Sequence, residues 1–593
     1  IVTVETAALP TMIGLAGLGA LVAATAPRWP PRAALGALAF AVLVGGIAVF
    51  DRASLVDDAF ISLRYADNLL AGDGLVWNAG ERVEGITNLG WTLLLAVLGA
   101  VLPLSLEQLA LFGCIASWLA VIGLVTAISR ELHDETASPW LPWAAGLSAV
   151  HGFLTSFATT GLETELTAVL LLGGLYAWLR DRPGWASLVW MLAVVVRLDQ
   201  ALFWAIGAVA VALDAWPRRD LRRMGRYLLP LGLLAVVLLA KLAYYGDIMP
   251  NTYYAKNAGE TYVSYGAFYL AASYVAGHLW VHVPLAVSWV ALSRGREQRF
   301  AALVGAMGVL WHAYVLKVGG DFMLGRFLVA LVPLLLLAGE RAWVHAGRRH
   351  VAAGIAVGAL LLGTARGVTL IPPNTIAMGL ADESTVYPVT SWSPVEVRHS
   401  NFHAGRAFGR FLHDRGIEFP LATSGIGMLG YYSRMPVIDV LGLTDATIAH
   451  RPSRERGRPG HEKRPGPGYL DEREVVLERV KGRDPWDALR VVRLPPPWRS
   501  SRQWKLRRYD TALMERWRTE APEIGFTDFD TYLSEVFLPS LDDRSTEQLE
   551  KDLKFLDRFY WDVNGRDGRR LALVAYLARR VPIRRDRNLR RVP

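Results

Sequence analysis

Residues 56–91 read VDDAFISLRYADNLLAGDGLVWNAGERVEGITNLGW, a polar stretch between segments that are almost wholly apolar. Eight of its residues are ionisable: Asp57, Asp58, Arg64, Asp67, Asp73, Glu81, Arg82 and Glu84. Charged side chains are costly in hydrocarbon, so this stretch must lie outside a membrane or line a water-filled cavity. The adjacent Asp57 and Asp58 closely follow an apolar run, which predicts that they lie near a membrane surface.

The composition of the whole chain predicts an integral membrane protein with one soluble portion. The chain has 593 residues, 52% of them hydrophobic, and a mean hydropathy of +0.27, which is too apolar for an ordinary soluble protein. The net charge of +9 lies in short loops and in the last third, so it does not imply nucleic acid as a partner. The single cysteine, Cys114, excludes an intrachain disulfide and a thiolate metal cluster. Because residue 1 is Ile and no signal peptide is visible, we expect a trimmed start.

Long apolar segments predict eleven or twelve membrane spans. The segments are residues 8–25, 35–50, 89–102, 109–128, 140–158, 164–180, 185–197, 200–216, 227–245, 268–292, 301–318, 326–340 and 350–366. Segment 89–102 is short, and we expect it not to cross fully. Segments 185–197 and 200–216 form a predicted hairpin with an outward tip.

Basic clusters predict which loops face the cytoplasm, because Lys and Arg concentrate on that side. These clusters are Arg28 and Arg32, Arg180 and Arg182, Arg218 to Arg226, Arg294 to Arg299, and Arg341 to His350. With them inside, the unusual polar residues fall on the opposite face: Asp57, Asp58, Glu163, Arg197, Asp199, Asp247, Lys256, Asp321 and Arg326. We therefore predict one water-filled cavity on the extracytoplasmic side.

The composition changes near Ile371, where Pro, Gly, charge and Trp rise. We predict a catalytic membrane domain over residues 1–369, with an outward loop at 51–90, and a mixed α/β extracytoplasmic domain over 370–593. The later domain is expected to cap the site or bind carbohydrate. Within it, residues 421–443 predict strand, turn, short helix and strand, 491–510 a β-hairpin, and 541–562 an amphipathic helix. The basic Pro/Gly-rich loop 451–468 predicts no regular structure.

Asp57 and Asp58 are the strongest candidates for chemistry. Neighbouring carboxylates repel, which raises one pKa, and such a pair can act as general base, nucleophile or metal ligand. The alternative is an ordinary helix N-cap, since FISLRYADNLL is a plausible amphipathic helix. The residues identify no cofactor, and a divalent cation is left open.

Other candidates come from the polar loops. In the first loop, Arg82 could clamp a phosphate and Asn88 could bond a hydroxyl, with Arg64 and Glu84 beside them, or the loop could be a salt-bridged turn. Loop 244–257, YYGDIMPNTYYAKN, offers Tyr245, Asp247, Asn251, Tyr253 and Lys256, a set suited to stacking on a sugar ring and bonding its hydroxyls. Its tyrosines also fit an interfacial aromatic belt.

Charged pairs supply the remaining candidates. Arg197 and Asp199 suit a structural ion pair and a substrate contact equally, and Glu163 joins the outward polar set. In GGDFMLGR, residues 319–326, Asp321 and Arg326 suit a lipid phosphate or a span anchor.

Several signals are weak. GIGMLG, residues 425–430, lacks the ending of a nucleotide-binding loop. Trp486, Trp498 and Trp504 could stack on carbohydrate, but core packing is favoured. The histidines, including His399, His403 and His461, show no metal-ligand spacing.

Taken together, several motifs resemble the actinobacterial arabinofuranosyltransferases, which are GT-C membrane glycosyltransferases. The motifs are the 56–91 stretch, FATTGLET, VVRLD, the 244–257 loop, GGDFMLGR and GYYSRMPVIDVLGLTDATIAHRP, spread over nearly the whole chain. The resemblance implies a decaprenylphosphoryl-β-D-arabinofuranose donor, the arabinan of arabinogalactan and lipoarabinomannan as acceptor, and a terminal β-(1→2) linkage. It also implies that the catalytic acid of the first outward loop is Asp57 or Asp58, and that residues 370–593 cap the site.

Two alternatives remain open from the residues. A related enzyme could transfer another sugar, such as mannose, from a polyprenyl phosphate. A lipid transporter should instead place its charged groups near the membrane midplane in paired repeats, and no repeat is visible here. We expect a monomer in the plasma membrane with its site on the extracytoplasmic face.

Overall fold

The chain divides into two compact units. The first contains Ile1–His399 and Leu441–Arg464, and the second Ser400–Val440 and Pro465–Pro593. The structure is a computed structural model that describes residues 31–133, 142–345, 376–377, 379–453, 457–479, 486–495 and 503–580. The domain boundary placed at 369/370 from composition stays a prediction.

The first unit is mainly α-helical. Its α-helices are Pro31–Asp51, Ala59–Ala71, Leu89–Val101, Leu106–Glu131, Trp143–Val150, Gly152–Phe157, Thr164–Leu179, Pro183–Val196, Ala201–Ala215, Leu221–Leu228, Leu231–Tyr245, Asn251–Ala255, Val263–Ala276, His282–Leu292, Gly295–Val318, Val332–His345, Glu383–Val386 and Ala446–Ala449. Short 3₁₀ turns occur at Leu198–Gln200, Leu279–Val281 and Arg326–Leu328.

In the described residues, four helices are long and apolar enough to cross a membrane: Leu106–Glu131, Leu198–Ala215, Leu221–Tyr245 and Gly295–Val318. Val263–Ala276 and Leu279–Leu292 form a fifth candidate, bent by 88° at its break. Shorter apolar helices are Leu35–Asp51, Leu89–Val101, Thr164–Leu179 and Pro183–Val196. The segments 8–25 and 350–366 lie outside the described residues, so the total of eleven or twelve spans stays a prediction.

Two predicted segments have informative structures. Leu89–Val101 has 13 residues, which at about 1.5 Å per residue falls short of a hydrocarbon core of about 30 Å. This agrees with a segment that does not cross fully.

Segment 140–158 is interrupted at His151, whose extended backbone separates two helices and whose ring accepts a hydrogen bond from the Phe153 amide.

In the described residues the strands are short and form three sheets. They are β1 Ile376–Ala377, β2 Leu380–Ala381, β3 Val389–Trp392, β4 Val395–Val397, β5 Leu421–Thr423, β6 Val437–Asp439, β7 Leu477–Glu478, β8 Val491–Val492 and β9 Trp504–Leu506. In the first unit, β1 pairs with β2 and β3 with β4, both antiparallel. In the second unit the order is β6-β5-β7-β9-β8, with β5 parallel to both neighbours.

The second unit confirms three local predictions. A helix joins β5 to β6, as the pattern of residues 421–443 predicts. Strands β8 and β9 pair antiparallel, as predicted for residues 491–510. The amphipathic segment 541–562 contains a helix that continues into a π turn. The helices of this unit are Ser400–Phe411, Gly427–Ser433, Tyr469–Glu472, Asp487–Arg490, Thr511–Glu520, Phe529–Tyr532, Thr546–Leu556, Asp562–Asn564 and Gly568–Arg580, with π turns at Leu533–Phe537 and Asp557–Trp561.

The tryptophans of the second unit pack in its core. Trp486 is 5% exposed and stacks on Phe555 with ring centroids 4.9 Å apart, and Trp504 is 1% exposed. Core packing is thus confirmed for these two residues. Trp498 lies outside the described residues.

Backbone hydrogen bonds fix the segment that leads to Asp57. The amide of Leu55 donates to the carbonyl of Tyr387 at 3.1 Å, and that of Val56 donates to Thr160 at 3.2 Å. The predicted amphipathic helix then follows as Ala59–Ala71 and ends at Gly72, whose φ of 94° permits a left-handed C-cap. The acidic pair is therefore held between two other segments of the chain.

A close approach at Gly161 fixes the same region. Its φ is +78°, and a Cβ there would lie 2.4 Å from Leu55 Cδ1 and 2.9 Å from Ala59 Cβ. Its carbonyl accepts a hydrogen bond from Trp91 Nε1 at 3.0 Å. Only glycine combines this backbone conformation with this packing.

We expect Gly161→Ala to destabilise the protein by roughly 2–5 kcal/mol, because backbone strain and overpacking add. Gly80→Ala is the matched control, since Gly80 has a similar φ of +80° with nothing within 4 Å. Thermal unfolding in detergent should give a clearly lower Tm for Gly161→Ala. Equal Tm values for the two variants would contradict the packing argument.

Candidate active site

The carboxyl group of Asp58 does not cap the helix that follows it. Asp58 occupies the N-cap position of Ala59–Ala71, but within this described helix its side chain accepts no capping hydrogen bond. Burial raises the pKa of Asp58 to about 6, opposed by Arg326 and Lys256. The neighbouring Asp57 is 8% exposed and raises that pKa further. The side-chain cap considered as the alternative is therefore not formed by Asp58, and a chemical role for the pair stays a prediction.

Glu163 is the centre of a buried charge network. It is 0% exposed, and its Oε1 accepts hydrogen bonds from Arg197 Nη1 at 2.9 Å and Arg326 Nη2 at 3.1 Å. Its Oε2 accepts from Asn88 Nδ2 at 2.7 Å. Burial opposes ionisation, yet the two guanidinium groups and Asn88 lower the pKa of Glu163 to about 2. Glu163 is consequently ionised throughout the physiological range.

Each of the two arginines also binds an aspartate. Arg197 donates to both carboxylate oxygens of Asp199, at 3.2 and 2.5 Å, and Arg326 Nη1 lies 3.0 Å from Asp321 Oδ2. The ion pair considered for Arg197 and Asp199 is thus present, and Arg326 forms an ion pair with Asp321 that the sequence did not predict. Glu163 contacts both arginines, so the order of contacts is Asp199, Arg197, Glu163, Arg326 and Asp321. These residues come from three separate regions of the chain.

Polar side chains connect this line to the helix of the acidic pair. Ser62 Oγ donates to Asn88 Oδ1 at 2.9 Å, while Asn88 binds Glu163 through its amide nitrogen. Lys256 is exposed, at the C-terminal end of Asn251–Ala255, and its charge acts on both Asp58 and Asp321. Against the effect of burial, Arg326 and Lys256 hold the pKa of Asp321 below its usual value.

A second group of candidates surrounds a different buried pair. Glu84 Oε2 lies 3.0 Å from Lys241 Nζ, with 4% and 5% of the side chains exposed. Burial raises the pKa of Glu84 to about 7, against the opposing charge of Lys241. Arg82 is exposed and lies over the ring of Tyr244, 5.0 Å from its centroid. Lys241 follows an apolar run and was not a candidate from the sequence.

The remaining candidates contact the protein itself. Tyr245 OH donates to the carbonyl of Leu75, Asp247 accepts from the Met249 amide and from Tyr254 OH, and Asn251 Nδ2 donates to the carbonyls of Gly442 and Leu443. Arg64 Nε donates to the carbonyl of Trp77 at 2.8 Å, and its guanidinium lies over that indole. Tyr253 is 38% exposed. Their roles in substrate binding stay predictions.

The structure adds residues that sequence reasoning missed. Glu383 is buried, and its pKa is raised by burial and by the charges of Asp58, Asp321 and Asp57. Arg458 is partly buried and interacts electrostatically with Asp58, Asp321 and Glu383. Both lie hundreds of residues from Asp58, so only the density of basic residues in loop 451–468 could have suggested Arg458. Among the described residues, no group of three His, Cys, Asp or Glu side chains is arranged to hold a metal ion.

Comparison with known proteins supports one family of enzymes. Over 406 residues the chain is 33% identical to a terminal beta-(1->2)-arabinofuranosyltransferase of Mycobacterium tuberculosis, covering 59% of this chain and 63% of that protein. The predicted resemblance is confirmed. A protein of the same name from Corynebacterium glutamicum is 29% identical over 366 residues, covering 50% of this chain and 49% of that protein. The chain thus spans between about half and just under two thirds of these curated relatives.

Other matches are less specific. Residues 395–528 match a domain of unknown function (DUF8728). The structure resembles that of ArnT from Cupriavidus metallidurans in the apo state, with a TM-score of 0.48, 14% identity and coverage of 80% of this chain and 98% of that one. It also resembles the Archaeoglobus fulgidus oligosaccharyltransferase, with a TM-score of 0.41, 11% identity and coverage of 68% and 64%. These coarse likenesses provide no correspondence between residues.

We expect Glu163→Gln to destabilise the protein by about 3–5 kcal/mol, because it leaves two buried guanidinium groups without a shared counter-charge. Glu131→Gln is the matched control. Glu131 also bridges two arginines, Arg180 and Arg296, each at 3.2 Å, but their side chains are 47% and 57% exposed. That control should cost less than about 1 kcal/mol. Thermal unfolding measures both changes, and similar losses of Tm would contradict the central role of Glu163.

Proposed function

We propose that this chain is a polyprenyl-phosphate-dependent glycosyltransferase of the GT-C class. In this proposal it transfers arabinofuranose from decaprenylphosphoryl-β-D-arabinofuranose to the arabinan of arabinogalactan or lipoarabinomannan. The product is a terminal β-(1→2)-linked arabinofuranose. The names of the two curated relatives support the sugar and the linkage.

The observation that carries the proposal is the environment of Asp58. Its carboxyl group lies beside Asp57, within the fields of Arg326 and Lys256, in a unit that also contains helices long enough to cross a membrane. A carboxylate that can take a proton near neutral pH, close to cations that can hold a phosphate, provides the two functions that glycosyl transfer from a lipid phosphate requires.

We place the reaction at the extracytoplasmic face of the plasma membrane. The distribution of basic residues supports this orientation, because the Arg-rich loops then face the cytoplasm. Nucleotide sugars are absent from that side, so the donor must be linked to a lipid. Residues 370–593 would contribute to acceptor binding.

The chemistry breaks the bond between the sugar C1 and the phosphate oxygen, and the electron pair leaves with the phosphate. The acceptor hydroxyl forms the new bond to C1 and gives its proton to a carboxylate. A β-donor and a β-product mean net retention. This requires either two displacements, with Asp57 or Asp58 as the intervening nucleophile, or attack from the face of the leaving group.

We expect Asp57→Ala and Asp58→Ala each to lower transfer by at least about 10²-fold, the scale for loss of an acid, base or nucleophile. Asp73→Ala is the control, because Asp73 is an exposed acid of the same loop. The assay incubates purified protein with lipid-linked arabinose and an arabinan oligomer, followed by linkage analysis. Near-normal transfer by both variants would refute the assignment, and transfer from lipid-linked mannose alone would refute the sugar.

Activity should also depend on pH through Asp58. Its pKa is raised to about 6, and the carboxyl group must be ionised to act, so transfer should fall as the pH drops through about 6. The charge of Lys256 lowers this pKa, so Lys256→Gln should move the acidic limb to higher pH by roughly half a unit or more. Lys317→Gln, at an exposed lysine, should leave the limb in place. An unmoved limb in Lys256→Gln would contradict the role of Asp58.

A further inference from the structure

After strand β6, the segment Leu441–Arg464 belongs to the first unit, and hydrogen bonds hold its described residues there. Asn257 Nδ2 donates to Ser453 Oγ at 2.6 Å and to Glu462 Oε2 at 2.7 Å, and Tyr262 OH donates to the same carboxylate oxygen at 2.7 Å. The other oxygen of Glu462 accepts from the Gly457 amide at 2.7 Å. The backbone beside Arg458 is therefore held in place.

The guanidinium of Arg458 lies over the ring of Phe322, 4.6 Å from its centroid. Phe322 follows Asp321 directly, and its carbonyl accepts a hydrogen bond from the Ala381 amide at 2.8 Å. Stacking on a ring held in this way orients the guanidinium plane and leaves its edge available for hydrogen bonds. Asp58, Asp321 and Glu383 all act electrostatically on Arg458.

Arg458 differs from Arg197 and Arg326, the two candidate arginines of the buried charge network. Arg197 and Arg326 each bind two carboxylates. In the part of the chain that the structure describes, no hydrogen bond or ion pair reaches the guanidinium of Arg458. Among the described residues the ammonium group of Lys256 likewise has no hydrogen bond or ion pair. Its side chain runs beside Gly460, two residues after Arg458, where an added Cβ would lie 3.3 Å from Lys256 Cγ.

A further buried donor belongs to the cluster that Arg458 joins, which consists of Asp58, Lys256, Asp321, Arg326, Glu383 and Arg458. The Nε of Arg326 has no partner among the described residues, although the side chain is only 10% exposed. A buried N–H without an acceptor costs free energy unless a ligand or water supplies one. The cluster therefore contains donors for an anion beyond those its own carboxylates use.

We propose that Arg458 binds the phosphate of a polyprenyl-phosphate lipid, with its guanidinium fork directed at the phosphate oxygens and Lys256 as the second cation. This inference rests on the proposed function. It extends that function by assigning the phosphate contact to a residue of the segment 441–464. When the bond from C1 to the phosphate oxygen breaks, the phosphate changes from a monoanion to a dianion. A fixed guanidinium stabilises the additional charge.

The test is equilibrium binding of decaprenyl phosphate to the full-length purified protein, measured by native mass spectrometry and therefore independent of turnover. Arg458→Gln should weaken binding by about 10- to 100-fold, and Arg458→Lys by less, because the charge remains while the fork is lost. Arg451→Gln, in the same anchored segment, should bind like the wild type. Decaprenol, which lacks the phosphate, should bind all variants equally.

The outcomes separate this inference from the proposed function. Unchanged binding of decaprenyl phosphate by Arg458→Gln, or an equal loss of decaprenol binding, would overturn the inference. If Arg458→Gln does not fold, unchanged binding by a folded Arg458→Lys would overturn it instead. Inorganic phosphate that binds as tightly as the lipid would overturn the lipid assignment. The wild-type protein could bind decaprenyl phosphate more tightly than Arg458→Gln does and yet transfer no arabinose. That result would refute the function and support the inference.

Discussion

The ionised carboxylate of Glu163 is the constraint on which the candidate site depends. A charge that is 0% exposed is tolerable only when opposite charges and hydrogen bonds surround it, and Arg197, Arg326 and Asn88 supply these. Because the three partners come from separate regions, the requirement to satisfy one buried anion brings the helices together. The same requirement fixes Arg326 within range of Asp58.

The sequence predicts the site best where local composition is abnormal. Acids and arginines at the ends of apolar segments identified Glu163, Arg197, Asp199, Asp321 and Arg326, and the structure joins all five. Hydropathy marks such positions because charge is costly there. The sequence also predicted the order of strands and helix in residues 421–443, because turn residues separate short apolar runs there.

Other features could not be read from local patterns. Lys241 follows an apolar run, and only the position of Glu84 in space explains how its charge is balanced. Arg458 and Glu383 enter the site through long-range contacts, and loop 451–468 is compositionally typical of unstructured sequence. In the described part of this loop, Glu462 accepts hydrogen bonds from Asn257 and Tyr262, and no sequence motif marks either of those residues as its partner.

The buried pair of Glu84 and Lys241 has a mechanical consequence. Lys241 lies near one end of the candidate span Leu221–Tyr245, which contains the consecutive helices Leu221–Leu228 and Leu231–Tyr245. Its 25 residues, at about 1.5 Å each, exceed a bilayer core of about 30 Å. Since one end is tied to the polar loop, the helix can adjust to a thinner bilayer by tilting about that tie rather than by sliding. A tilt of this span would therefore move the Glu84 end of the 56–91 stretch with it, because the ion pair joins the two.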